Sequence, residues 1–143
     1  MGSPVDPSRL AEKARYVREQ VDALSRLVGS TSVDGFAAPG SWLARGARYA
    51  LLTAIEALID IAYHLCAKRL DAAPADARDA FQRLRGEGLI APEDVARMNP
   101  LIGFRNRVVH AYETVDDRRV YDMIHDEAGD LLLVLEALLK ASA

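Results

Sequence analysis

The sequence predicts an all-α protein, an antiparallel helical bundle of about four main helices with short helical insertions. Apolar residues recur at three- and four-residue spacing along almost the whole chain, and the two-residue alternation of strands is sustained nowhere. Gly, Pro and Ser gather in a few short breaks between the periodic segments. The chain has 143 residues, half of them apolar and 27% charged, which suits one domain over residues 1–143 with a true core and excludes disorder.

The first helix starts at Asp6 or Ser8, with Pro7 in its first turn, and Leu10, Ala14, Val17, Val21, Leu24 and Leu27 give its apolar stripe up to a stop at Gly29. Gly29 to Ser41 has the composition of a loop. A second, longest helix spans Trp42 to Leu70, followed by a linker at Asp71 to Pro74 and a short helix near Ala75 to Arg85. Pro92 opens another short helix. Pro100 then separates it from a helix of about Leu101 to Glu113, and after a cap at Thr114 or Asp116 the last helix covers Val120 to Leu139. The apolar surface of the second and last helices exceeds what one small bundle covers, which predicts a homodimer.

A net charge of −3 argues against binding nucleic acid through the overall field, so any such contact needs a local basic site. Cys66 is the single cysteine, which rules out an intrachain disulfide or a cysteine zinc site and fits a reducing, cytoplasmic setting. The N-terminus lacks the apolar stretch of a secretory signal, and MGS reads as an appended remnant. Tyr49 to Ala67 approaches the length of a membrane span, about 20 residues. Glu56, Asp60 and His64, spaced four apart, make one polar stripe on that helix and favour a buried central helix instead. All three are residue types that bind metals, but no further histidine or carboxylate is clearly spaced to complete a site, so no metal and no cofactor are expected.

The unusual stretch is GFRNRVVHAYETVD, Gly103 to Asp116, which places two arginines, an asparagine, a histidine and a tyrosine within eight residues. A solvated helix face is one reading. An active site is the other: histidine moves protons near neutral pH, while the planar arginine fork suits a phosphate. Together they can cleave RNA without metal, His110 handling the proton of the 2′-hydroxyl or of the leaving oxygen and Arg105 steadying the charged phosphorus centre. Asn106 orients the histidine or binds substrate, and Arg107 is likewise expected to bind or orient the substrate. At about 100° per residue Arg105, Val109 and Tyr112 share one side of a straight helix, whereas Asn106 and His110 share another. Arginine reach, a distorted helix end or a second copy of the motif has to unite Arg105 with His110.

The run Arg105-Asn106-Arg107-Val108-Val109-His110-Ala111-Tyr112 resembles the R-x-x-x-x-H-x-Y signature of the HepT-like (DUF86) HEPN-domain toxins. ALLTAIEALIDIAYHL is similar to the family's central helix, and AFQRLRGEGLIAPE to its short connecting segment. These blocks cover most of the chain from Trp42 onward. The resemblance implies an all-helical homodimer that acts as a metal-independent RNA endonuclease, with the two motifs meeting in an interfacial cleft and Arg105 and His110 in the catalytic positions. It also implies a partner, an MntA-type minimal nucleotidyltransferase antitoxin of the type VII (HEPN/MNT) toxin–antitoxin class, which transfers AMP to the tyrosine at the position of Tyr112. Transfer RNA is implied as substrate for some members.

Other residues carry weaker expectations. Asp60, within the central-helix block, is expected to support Arg105 through a charged hydrogen bond. His125, beside Asp126, reads as a surface residue; Trp42 and Phe104 read as core or interface anchors. Arg118 and Arg119 either extend a basic rim for RNA or belong to a solvated helix start. The competing function is a catalytically silent HEPN-like scaffold that binds a nucleotide or a nucleotidyltransferase partner.

Overall fold

The computed structural model describes residues 4–143, so the reading of MGS lies outside the described residues. Six α-helices account for most of them, with no strand among the described residues. Helix α1 runs from Pro7 to Ser30. Its cap is the Asp6 carboxylate, which accepts from the Ser8 and Arg9 amides at 3.1 and 3.2 Å. These are donors a helix start otherwise leaves unpaired. Gly29 does not end this helix. The Ser30 hydroxyl donates back to the Arg26 carbonyl at 2.9 Å and holds one further residue, and Val28, not Leu27, completes the fully buried stripe.

Within the segment expected to be a loop, Val33–Phe36 forms the short helix α2, capped by Ser32. Phe36 is the cause: its ring is fully buried and meets Tyr121 edge-on at 5.3 Å. The Tyr121 hydroxyl in turn donates to the Val28 and Thr31 carbonyls, which pins the end of α1 to the last helix.

Helix α3 spans Trp42–Leu70, as the spacing predicts. It is the central helix, with Leu51, Ile55, Leu58, Ile59, Ile61 and Leu65 removed from solvent. It is long and apolar enough to cross a membrane, yet the protein buries 61% of its most apolar window, which is how a core helix behaves. Asp71 ends it in the left-handed region at φ 50°. Helix α4, Ala77–Gly86, is capped by Asp76 and inserts Phe81 and Leu84 into the core.

Helix α5 corrects the expected division at Pro100. It is one helix from Pro92 to His110 with the proline inside. Proline removes one backbone donor and crowds the preceding turn, at a cost of about 3 kcal/mol. Here Met98, Leu101 and Ile102 are buried on either side of an exposed Pro100, and their packing outweighs that loss. The helix also stops at His110, three residues before the expected end. Ala111 breaks it at φ −146° and ψ 45°, and Tyr112–Thr114 forms a short 3-10 turn. Asp116 caps helix α6, Asp117–Ala141, by accepting from the Arg118 amide at 3.0 Å.

The three longest helices, α1, α3 and α6, pack against one another around a shared core. Helix α5 lies against both α3 and α6, and α4 closes the side between α3 and α5. The motif is thereby held at the seam of α3 and α5, where α5 runs out into the turn before α6.

Candidate functional site

Arg105 is anchored from two sides. Its Nε donates to Glu56 of α3 in a close ion pair, and its Nη1 donates to Asn106 Oδ1 at 3.1 Å. The anchoring works because Phe104, beside it, is buried to 2% exposure and fixes the rotation of α5. Arg105 then emerges half-buried at the seam, and its guanidinium keeps donors to spare for a substrate. Its charge reaches Tyr63 on α3: burial pushes the Tyr63 hydroxyl above its usual range, and Arg105 pulls it partly back.

Glu56, not Asp60, is therefore the carboxylate that supports the motif arginine. Asp60 pairs with Lys13 of α1 at 2.9 Å. His64, the third member of the stripe, is buried and uses Nε2 to accept the Asp6 amide at 3.1 Å. Three residues that share one helix face by sequence thus serve three different neighbours. The four-residue spacing of the stripe is visible in the sequence; which carboxylate meets α5 depends on how the helices cross.

His110 is the last residue of α5 and is exposed. Among the described residues no hydrogen bond joins it to Arg105, whose partners are Glu56 and Asn106. Arg107 is exposed on the same helix and lines a cleft with Arg119 of α6. Arg118 is turned away from that cleft and pairs with Asp34 across the end of α2. Tyr112 has left the helix: it sits on the 3-10 turn with 70% of its surface exposed, so the expectation of an arginine-side position on a straight helix is corrected.

The remaining candidates are structural. His125 is exposed, with Nδ1 2.9 Å from Asp126. Trp42 is not a core residue: it is 78% exposed, with Arg45 stacked 4.7 Å over its ring. Cys66 is buried, its thiol directed at the Ala80 carbonyl and pushed up to about 11 chiefly by desolvation, so it is a packing residue and not a nucleophile.

Comparison with solved structures gives the same arrangement of helices. A tri-AMPylated HEPN toxin from Shewanella oneidensis, in complex with its MNT antitoxin, superposes with a TM-score of 0.81 at 20% identity, over 94% of this chain and 98% of that one. A mutant MntA–HepT toxin–antitoxin complex superposes with a TM-score of 0.78 at 21% identity, over 92% of this chain and 98% of that one. A toxin–antitoxin complex with AMP-PNP gives a TM-score of 0.73 at 18% identity, over 93% and 99% of the two chains. At these identities the likeness is one of fold. No curated protein matches the sequence significantly. The family model for HepT-like ribonucleases matches residues 17–138, which takes in α3, α4, the whole of α5 with Arg105 and His110, and nearly all of α6. By that match the chain belongs to the HepT-like ribonuclease family.

Proposed function

We propose that this protein is the ribonuclease toxin of a HEPN/MNT toxin–antitoxin pair, cleaving RNA without metal and silenced by AMP transfer to Tyr112. The observation that carries the reading is the anchoring of Arg105 by Glu56 and Asn106 on the same helix that presents His110 at its exposed end. In the proposed reaction the 2′-oxygen attacks the adjacent phosphorus and the 5′-oxygen departs with a proton. His110 handles the proton and Arg105 stabilises the charge that builds on the phosphorane oxygens. Because His110 and Arg105 are not joined within one chain, a second copy completes the cleft across a homodimer interface.

AMP transfer joins the Tyr112 oxygen to the α-phosphorus of ATP and releases pyrophosphate. The exposure of Tyr112 makes its hydroxyl available to a partner enzyme, and a similar toxin is tri-AMPylated in complex with its antitoxin. The added phosphate and adenosine then occupy the surface that RNA needs. The stripe residues serve three separate neighbours, Glu56 holding Arg105, Asp60 pairing with Lys13 and His64 accepting the Asp6 amide.

The test is incubation of the purified protein with total RNA, with and without chelator, followed by mapping of the cut ends. Cleavage that survives chelation and falls about 10²–10⁴-fold in His110→Ala is the expected result. No cleavage by the wild type, with retained binding to a nucleotidyltransferase partner, identifies a silent scaffold instead.

A further inference from the structure

Gly103 opens the unusual stretch from inside α5, where glycine is less stable than alanine. What lies over it is Arg78, from the first turn of α4. Arg78 Nη2 donates to the Asn99 carbonyl at 3.4 Å, and a Cβ at Gly103 would stand 3.7 Å from the same nitrogen. Among the described residues Gly103 is the helical glycine that a side chain from another helix covers. An alanine fits there; a longer side chain competes for the space of the guanidinium. At about 100° per residue Asn106, Arg107 and His110 fall within about 60° of Gly103 around the helix. His110 is seven residues on, roughly 10 Å along the axis. Arg78 therefore adds a charge from α4 to the side of α5 that carries Arg107 and His110.

Arg78 is exposed, and the Asn99 carbonyl is its hydrogen-bond partner among the described residues. The carboxylates beside it in sequence are engaged elsewhere. Asp76 caps α4 by accepting the Asp79 amide at 2.8 Å, and Asp79 accepts from Arg83 and from the Ala75 amide, both at 2.9 Å. They weaken the local field but leave most of the Arg78 donors free for a ligand. The start of α4 also borders Arg105. The Tyr63 hydroxyl of α3, raised chiefly by burial, is reached by the charges of Arg105, Asp76, Glu56 and Asp79 together. Arg105 in turn is directed through Asn106 toward the side of α5 on which Arg78 lies. With a net charge of −3 the chain has to build any basic track locally, and Arg78, Arg105 and Arg107 supply one that leads to His110.

We propose that Arg78 binds a backbone phosphate of the substrate RNA that flanks the one being cut, and that Gly103 leaves the room for it to do so. This role rests on the ribonuclease reading and adds to it a binding residue and a path for the strand, across the start of α4 toward His110. The arginine fork binds phosphate in paired hydrogen bonds. Phosphate contacts fix the register of a strand without reading its sequence. Arg78 touches no reacting atom, so it is a positioning residue that helps bring the 2′-hydroxyl and the phosphorus to His110 and Arg105. If Arg78 served only to tie α4 to α5 through Asn99, its loss would lower stability and leave RNA binding as it was.

The experiment is a fluorescence-anisotropy titration of the full-length protein with a single-stranded 2′-O-methyl oligoribonucleotide, which lacks the attacking hydroxyl, between about 50 and 200 mM salt. Each phosphate contact on a single strand contributes about 0.7 to the slope of log affinity against log salt, so Arg78→Gln is expected to reduce that slope by about 0.7 and to weaken binding about fivefold near 0.1 M salt. Arg78→Lys keeps the charge and is expected to keep the slope. A wild type that does not bind, a slope unchanged in Arg78→Gln, or a slope lost equally in Arg78→Lys overturns the assignment. In isotope-labelled wild type the same oligonucleotide is expected to shift the Asn99 and Gly103 amides. Shifts confined to other surfaces overturn it even if a variant folds poorly. None of these readings needs cleavage, so failure of the ribonuclease reading in the total-RNA assay remains distinguishable from failure of this contact.

Discussion

Arg105 shows how much a single side chain depends on its neighbours. A free surface arginine samples many rotamers, whereas this one is held by the Glu56 carboxylate and the Asn106 amide oxygen in a fixed orientation. Glu56 touches no substrate in the proposed reaction, so it is a positioning residue. Glu56→Gln is expected to lower kcat for RNA cleavage by about tenfold through looser placement of Arg105. The melting temperature should change little, because ion pairs this exposed contribute about 0–1 kcal/mol. A loss of activity that tracks a loss of folded protein would make Glu56 merely structural. Tyr112→Phe is expected to keep most of the RNase activity and to escape AMP transfer at this site; mass spectrometry after incubation with ATP and the nucleotidyltransferase reads the adduct. His64 makes a different prediction. Desolvation, then Arg9 and Lys68, hold its imidazole below the usual value, with Asp6 opposing. The unfolded chain therefore takes up a proton at His64 that the folded one resists, and stability is complete above pH of about 6.5 and falls as the pH drops through the folded value. Melting curves between pH 7.5 and 5 (about two and a half units spanning the histidine range) should show a smaller decline for His64→Gln, whose amide can still accept the Asp6 hydrogen bond.

Among the elements, α5 carries the most consequence, because its two ends do different work. Its first half is anchored by Val95, Met98 and Leu101, and its last turn delivers Arg107 and His110 to the surface. Pro100 interrupts the hydrogen-bond ladder between them without breaking the helix. Pro100→Ala restores the missing donor at an exposed position and is expected to stabilise the protein by up to about 3 kcal/mol, measured by denaturant unfolding. A destabilised variant would mean that the proline fits a local distortion on which the packing depends. The sequence gives local signals for much of this scale. Asp6 with Pro7, Asp116 and the apolar stripes mark real element starts and faces, since caps and periodicity act within a few residues. The continuity of α5 and the existence of α2 are not visible in the same way. Pro100 alone reads as a break, and only burial of Met98, Leu101 and Ile102 against the other helices overrides it. Phe36 alone reads as a stray aromatic in a loop, and only the Tyr121 ring gives it a place.

At the scale of the molecule, one row on α3 leads to the motif. Trp42, Tyr49 and Glu56 recur at seven-residue spacing, so they share one side of the helix with a drift of about 20° per heptad. Trp42 and Tyr49 are 78% and 67% exposed, and Glu56 holds Arg105. In the proposed dimer, a second copy seated on this row would cover the two aromatics and bring the motifs of both chains near each other. Light scattering at micromolar concentration is expected to give a dimer, and Tyr49→Glu to shift it toward monomer and lower RNA cleavage with it. A monomeric wild type that still cleaves RNA overturns the shared cleft.

By itself the sequence determined the helical class, the span of α3, the caps and the chemical types gathered at 105–112, because periodicity, capping and residue chemistry are local properties. Tertiary structure decided what those residues do to one another. It chose Glu56 over Asp60 as the partner of Arg105, since the crossing of α3 and α5 selects which of two carboxylates on one face comes within reach. It ended α5 at His110 and set Tyr112 on an exposed turn, and it gathered Arg107, Arg119 and Glu127, distant in sequence, around one cleft. Helical spacing specifies the face a residue occupies; only the packing of helices specifies what that face meets.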